Sequence, residues 1–184
     1  MIYLASQSPR RRELLEQAGI AFQVVTSAYE EENDPGMKPE ELVRIQAEGK
    51  AKEAAGRYDG WILGADTIVV LDGRILGKPA DKAEAADMLR RLSGKRHTVM
   101  TGIALLRGSQ VYSRTVQTDV WFRKLTEEEI RQYIASGEPL DKAGAYGIQG
   151  RGAVFIEKIY GSYSNVVGLP LEVLYEMCKT AGLL

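Results

Sequence analysis

The sequence predicts an α/β layered fold, and two observations carry that prediction. Short apolar stretches of strand character alternate along the chain with segments of helical periodicity. Turn and stop signals, among them Gly19, Asp72-Gly73 and Gly94, fall between them. At 184 residues the chain has length for one domain or one compact bilobal unit with a sizeable core.

The elements follow in order. IYLAS reads as a short strand and residues 9–18 as a helix, with Leu14, Leu15 and Ala18 inward and Gly19 as its stop. Ser8 stands at the N-cap, where a hydroxyl satisfies open N–H groups, and Pro9 at the first helical position. AFQVVTS is a second strand, and the acidic segment EEENDPGMKP is a loop. Residues 40–56 form an Ala-rich amphipathic helix carrying Lys50 and Lys52. WILGADTIVVLDGRILGKP is a buried strand that turns at Asp72-Gly73 into a second, short strand. Residues 81–93 are a helix ended by Gly94, and two long strands follow over 97–107 and 111–123. TEEEIRQYIASG opens on a capping box of Thr126 and Glu129. The glycine-rich loop AGAYGIQGRG leads into a strand AVFIEKI, and LPLEVLYEMCKTAG closes the chain as a helix.

Composition narrows the chemistry. With 24 basic and 25 acidic residues the formal net charge is −1, so there is no general cationic field for nucleic acid, and anion binding has to be local. WILGADTIVVL is interrupted by Asp66 and too short to span a bilayer, and MIYLAS has no charged segment ahead of a signal core. A cytoplasmic protein with no membrane partner is expected. Cys178 and His97 are each the only residue of their kind, which excludes an internal disulfide, a His-cluster zinc site and a Cys/His nucleophilic pair. Carboxylates, hydroxyls, Lys and Arg are left to do any chemistry.

Three places stand out. Arg10, Arg11 and Arg12 occupy the first helical turn, where the helix dipole disfavours cations by about 0.3–1 kcal/mol. Either this is a tolerated, solvated basic turn, or helix N–H groups and guanidinium forks together form a phosphate site, with Ser6 and Ser8 adding hydroxyls. Helical spacing turns one of the three, Arg12, to solvent. Asp66 lies in an apolar strand, where a carboxylate costs several kcal/mol unless paired. Backbone N–H groups at a bulge near Gly64 would satisfy it; the alternative is a general base or metal ligand at the carboxyl edge of the sheet. Beside it, the run Glu30, Glu31, Glu32 offers a second hard oxygen ligand for Mg²⁺ or Mn²⁺. The loop GAYGIQGRG precedes a strand instead of opening a helix, so it is no dinucleotide fingerprint, and no P-loop is present. Its glycines let backbone approach a ligand closely, with Gln149 presenting an amide that donates and accepts. Lys50, Lys78 and Lys142 are surface candidates taken singly.

Taken together, LASQSPRR, GADTIV, LGKP, the residues Met88, Leu89 and Leu92-Ser93-Gly94, EPLDKAGAYGIQGRGA and VVGLP resemble the Maf family, also called septum-formation inhibitor proteins. The resemblance spans essentially the whole chain, 1–184, as a single domain. It implies a Maf-like fold, similar to inosine triphosphate pyrophosphatase: a mixed sheet flanked by helices, with two lobes around a central cleft. It implies a cytoplasmic pyrophosphatase that cleaves a nucleoside triphosphate between the α and β phosphates with a divalent cation, Mg²⁺ or Mn²⁺, commonly as a homodimer. SPRR, GADT and GIQG resemble the branch acting on dTTP and UTP more than the sister branch acting on 7-methyl-GTP. Carried across, Asp66 becomes the proton acceptor, and Arg11, Thr67 and Gln149 set substrate choice. Ser6, Arg10, Glu31, Lys50 and Lys78 match the remaining site positions, Lys78 in catalysis and Glu31 with Asp66 as metal ligands. The implied role is nucleotide-pool sanitation or adjustment of pyrimidine triphosphates in division arrest; a non-enzymatic septation regulator with a division-related protein partner is the alternative.

Overall fold

In a computed structural model, which describes residues 1–184, seven strands form a mixed sheet: β1 (Ile2–Leu4), β2 (Phe22–Val24), β3 (Trp61–Leu71), β4 (Arg74–Leu76), β5 (Arg96–Arg107), β6 (Gln110–Phe122) and β7 (Ile156–Tyr160). They hydrogen-bond in the order β2-β1-β3-β5-β6-β7, with β4 paired to β3. β1 is parallel to β2 and β3, whereas β4 is antiparallel to β3 and β7 antiparallel to β6. The helices are α1 (Pro9–Gln17), α2 (Pro39–Ala55), α3 (Lys82–Leu92), α4 (Glu127–Ala135), α5 (Tyr163–Val167) and α6 (Leu171–Thr180). No helix is long and apolar enough to cross a membrane. The chain makes two compact units, one of Met1–Thr67, Thr101–Val116 and Gly168–Leu184, the other of Ile68–Met100 and Gln117–Val167.

In the first unit β1 lies between β2 and β3, so the crossovers β1-α1-β2 and β2-α2-β3 run in opposite directions from it. Right-handed crossovers then place α1 and α2 on opposite faces of the sheet. α2 sits very close to its face. A β-carbon at Gly64 would collide with the Ala47 carbonyl, and one at Gly102 with the Val43 carbonyl. The small side chains Ala47, Ala51 and Ala54 make this approach possible and pack with Ala5, Val25, Ile62, Ala104 and Leu106. α1 buries Leu14 and Leu15, but Ala18, expected inward, is exposed beyond the end of the helix, and Ile20 fills the core instead.

The second unit has its own core, in which Val69, Leu89, Leu92, Val120, Phe122, Tyr146 and Phe155 are buried. The Asp72-Gly73 turn has φ of 50° and 74° at its two residues, as a two-residue hairpin requires, and sets the register Leu71 to Arg74. Asp81 caps α3 by accepting from the Glu84 N–H at 2.8 Å, and Thr126 with Glu129 forms the expected capping box. The strand expected over AVFIEKI is shorter. Arg151–Phe155 form a 3₁₀ turn that buries Phe155 and leaves Val154 exposed, and pairing begins only at Ile156. α5 is too short for apolar periodicity to reveal. Its signal is the Ser162 hydroxyl accepting from the Asn165 N–H at 3.2 Å.

His97 is buried, with Nε2 and the Tyr146 hydroxyl 2.6 Å apart and the edge-to-face rings of Phe122 and Tyr146 around it. Burial pulls its pKa from 6.5 down to about 4, against the attraction of Asp119. The unfolded chain therefore binds the proton first, and stability present above pH 6.5 is lost as pH falls through that window toward 4. The gap corresponds to about 3 kcal/mol. With a single histidine in the chain, the one imidazole NMR signal should titrate near 4 in the folded protein; a midpoint near 6.5 would contradict this burial. Gly64→Val should lower the urea midpoint at unchanged m by about 1–3 kcal/mol of stability, and an unshifted midpoint would mean that α2 does not pack as closely as described.

Candidate active site

Asp66 and Thr67 are consecutive residues of β3, so their side chains leave the sheet on opposite faces. The register Leu4 to Leu63 shows that β1 has ended where β3 reaches Asp66. The carboxylate therefore lies inside its own strand yet beyond the carboxyl end of the parallel neighbour, the place where open α/β sheets bind ligands.

On the α2 face, Lys50 Nζ donates to Asp66 Oδ1 at 2.8 Å and lies 2.7 Å from Glu31 Oε1. The Asp66 and Lys50 side chains are 13% and 18% exposed and Glu31 is 50% exposed. The partner of the mid-strand carboxylate is thus an ammonium, not backbone N–H groups near Gly64. Two residues before Glu31, the Tyr29 ring packs against α2 at Gly49, where a β-carbon would collide with it.

The opposite face holds a second network. Arg11, from α1, donates through Nε to the Gly168 carbonyl at 2.8 Å, through Nη1 to the Ser6 hydroxyl at 3.1 Å and through Nη2 to the Thr67 hydroxyl at 3.0 Å. The Thr67 and Thr101 hydroxyls are 2.9 Å apart. Burial lowers the Arg11 pKa to about 10, against the pull of Asp66 and aided by the neighbouring Arg10 charge, so the guanidinium is still cationic at neutral pH. Arg11 is accordingly spoken for by the protein, whereas the phosphate-site reading of the first turn counted its guanidinium among the forks open to an anion. Arg12, expected to turn to solvent, is half-buried: it donates through Nη2 to the Gln7 carbonyl at 3.1 Å while its Nε is buried, and Arg10 is half-buried as well. Ser8 stands at the N-cap but makes no capping bond; the Ser6 hydroxyl accepts the Ser8 N–H at 3.2 Å and closes the turn before the helix. The first turn of α1 consequently has neither a side-chain cap nor an acidic residue.

Lys78 and Gln149 belong to the second unit. Both are exposed, and neither side chain has a hydrogen bond or ion pair within the protein. Lys142, by contrast, is structural: its Nζ donates to the Glu138 carbonyl at 2.9 Å and to Asp141 Oδ1 at 2.8 Å. Two participants escaped the sequence reading, the Thr101 hydroxyl and the Gly168 carbonyl. Thr101 carries the same signal as Asp66, a polar side chain in an apolar strand, and Gly168 lies in the VVGLP motif, where only a backbone atom is used.

Glu31 and Asp66 suit a hard divalent cation by donor type, since both are carboxylates and Lys50 Nζ, 2.7 Å from one and 2.8 Å from the other, keeps them side by side. No group of three or more His, Cys, Asp or Glu side chains is gathered to cage a metal. The fit is to a cation such as Mg²⁺ that takes one or two carboxylates and completes its shell with water and substrate oxygens.

This fold is shared with a HAM1 protein from Coxiella burnetii, whose structure superposes with a TM-score of 0.53 at 18% identity, over 97% of this chain and 98% of that one. A family model described as Maf-like protein matches residues 1–181, and the chain belongs to that family. It is 50% identical over 184 residues to the dTTP/UTP pyrophosphatase of Pelotomaculum thermopropionicum, covering 98% of this chain and 96% of the relative. It is 51% identical over 178 residues to the dTTP/UTP pyrophosphatase of Escherichia coli O157:H7, covering 96% and 90%.

Arg11→Lys tests the second network. A single ammonium cannot serve Gly168, Ser6 and Thr67 in one plane, so the variant should lose about 1–3 kcal/mol of stability in urea unfolding through acceptors left unpaired. Stability equal to that of the unaltered protein would show that the guanidinium does not hold α1 to β3.

Proposed function

We propose that this chain is a nucleoside triphosphate pyrophosphatase that hydrolyses dTTP and UTP to the monophosphate and pyrophosphate. The observation that carries the reading is Asp66, a mid-strand carboxylate whose Oδ1 is fixed by Lys50 while Oδ2 has no partner in the protein. The relatives named dTTP/UTP pyrophosphatase support the substrate class.

In this mechanism Oδ2 of Asp66 takes a proton from water as the water oxygen attacks the α-phosphorus. The bond from that phosphorus to the α–β bridging oxygen breaks, and pyrophosphate leaves. Lys50 holds the carboxylate still, so the base is oriented before the substrate arrives. The uncapped N–H groups of α1, with Arg10 and the Ser6 hydroxyl, bind triphosphate oxygens. Lys78, which has no internal counter-ion, meets the charge that develops on the departing pyrophosphate. A divalent cation, Mg²⁺ or Mn²⁺, held by Glu31 and Asp66 would supply further neutralisation of the phosphate oxygens. Gln149 reads the base: thymine and uracil present a carbonyl acceptor next to an N–H donor, and one carboxamide meets both. Arg11 and Thr67 shape that choice through the network they share. The whole chain acts as one catalytic domain, as a cytoplasmic homodimer, in nucleotide-pool sanitation or in division arrest.

Asp66→Asn should reduce kcat for dTTP by about 10²–10⁴-fold while dTTP binding, followed by calorimetry, persists. A variant retaining more than a tenth of the original kcat would remove Asp66 from the chemistry. Excess chelator should abolish pyrophosphate release from dTTP and added Mg²⁺ or Mn²⁺ restore it; full turnover in chelator would exclude the cation from the reaction.

A further inference from the structure

The turn Gly147–Gly152 looks built to wrap an anion, and in the structure it already does so. Glu138, just after the left-handed Gly137, sends its carboxylate into the turn. Oε2 accepts the Arg151 N–H at 3.0 Å, and Oε1 accepts the Tyr133 hydroxyl at 2.9 Å and the Gly152 N–H at 3.5 Å. The Tyr133 oxygen in turn accepts the Gly147 N–H at 3.1 Å. Backbone on both sides of Gln149 is thereby tied to one side chain, directly at 151 and 152 and through the phenol at 147.

The glycines are explained by the same contacts. A β-carbon at Gly150 would collide with the Glu138 carboxylate, and one at Gly152 would come within 2.6 Å of the Gly147 carbonyl and 2.9 Å of the Tyr133 hydroxyl. The backbone room that the missing β-carbon leaves at Gly150 is filled by the protein's own carboxylate. The successive N–H groups of Arg151 and Gly152 meet the carboxylate and the Gly147 N–H meets its phenol partner, so the turn is closed around the Glu138 side chain. What the loop then leaves exposed are the Gln149 and Arg151 side chains.

We propose that Glu138 is a positioning residue for base selection: by binding the backbone of the 147–152 turn it fixes the stance of the Gln149 amide. This rests on Gln149 reading the pyrimidine edge, as in the function proposed above. Glu138 touches no substrate in this scheme; it acts only through Gln149. Ordering the loop in advance spares the substrate that ordering cost.

The test combines amide exchange with a double-mutant cycle. In Glu138→Gln, hydrogen exchange at Arg151 and Gly152 should accelerate about tenfold or more, since a carboxamide replaces one acceptor oxygen by a donor facing an N–H. Tyr133→Phe should accelerate exchange at Gly147, whose N–H loses its acceptor, while leaving the Glu138 carboxylate itself in place. For dTTP and UTP, Glu138→Gln should lower kcat/KM by about 10- to 100-fold, mainly through KM, with a smaller loss for GTP. Added to Gln149→Ala, the same substitution should cost little more. Unchanged exchange at 151 and 152 would overturn the proposal, and so would an undiminished loss in the Gln149→Ala background. The exchange measurement needs no substrate. If the unaltered enzyme fails to hydrolyse dTTP and UTP, the functional reading falls by itself, separately from the clamp.

Discussion

The ion pair between Asp66 and Lys50 is the constraint on which the rest of the structure turns. A carboxylate set among Ile62, Leu63, Ala65, Ile68 and Val69 would cost several kcal/mol alone. Its remedy comes from α2, and the ammonium reaches Oδ1 at 2.8 Å only because that helix lies on the strand with no side chain at Gly64 between them. The Ala-rich face of α2, which by itself reads as ordinary core packing, is thus what delivers the charge to the strand. Removing Lys50 alone leaves a half-buried charge uncompensated, so the pair is worth more to the fold as a unit than either partner is singly.

Strand alternation gives the site its division of labour. Asp66 faces Lys50 and Glu31, where the activation of water is assigned, while Thr67 faces Arg11 and Thr101 in a network of hydrogen bonds. One peptide unit therefore separates the carboxylate from the hydroxyl, and α1 and α2, on opposite sides of the sheet, reach them with Arg11 and Lys50 respectively. In the second unit the same economy recurs in Glu138, whose side chain organises a loop of glycines so that a single exposed glutamine is presented.

Much of this was legible in the sequence, for local reasons. Asp72-Gly73 and Thr126 with Glu129 act within a few residues, and each appears where expected. Asp66 was conspicuous because its neighbours are apolar. What could not be read is long-range. That Lys50, 16 positions earlier, would be its partner depends on the crossover that lays α2 on β3. That Arg11 would be consumed by Gly168, 157 positions away, depends on a backbone carbonyl that has no signature of its own. The glycine-rich turn announces a close approach to its backbone, but its composition does not say that what approaches is the side chain of Glu138.

The central claim is that water, assisted by Asp66, attacks the α-phosphorus and expels pyrophosphate. Turnover of dTTP in ¹⁸O-labelled water, followed by phosphorus NMR, tests it directly. The account predicts that the label enters dTMP and that the pyrophosphate is unlabelled; label in pyrophosphate, or release of labelled orthophosphate, would contradict it.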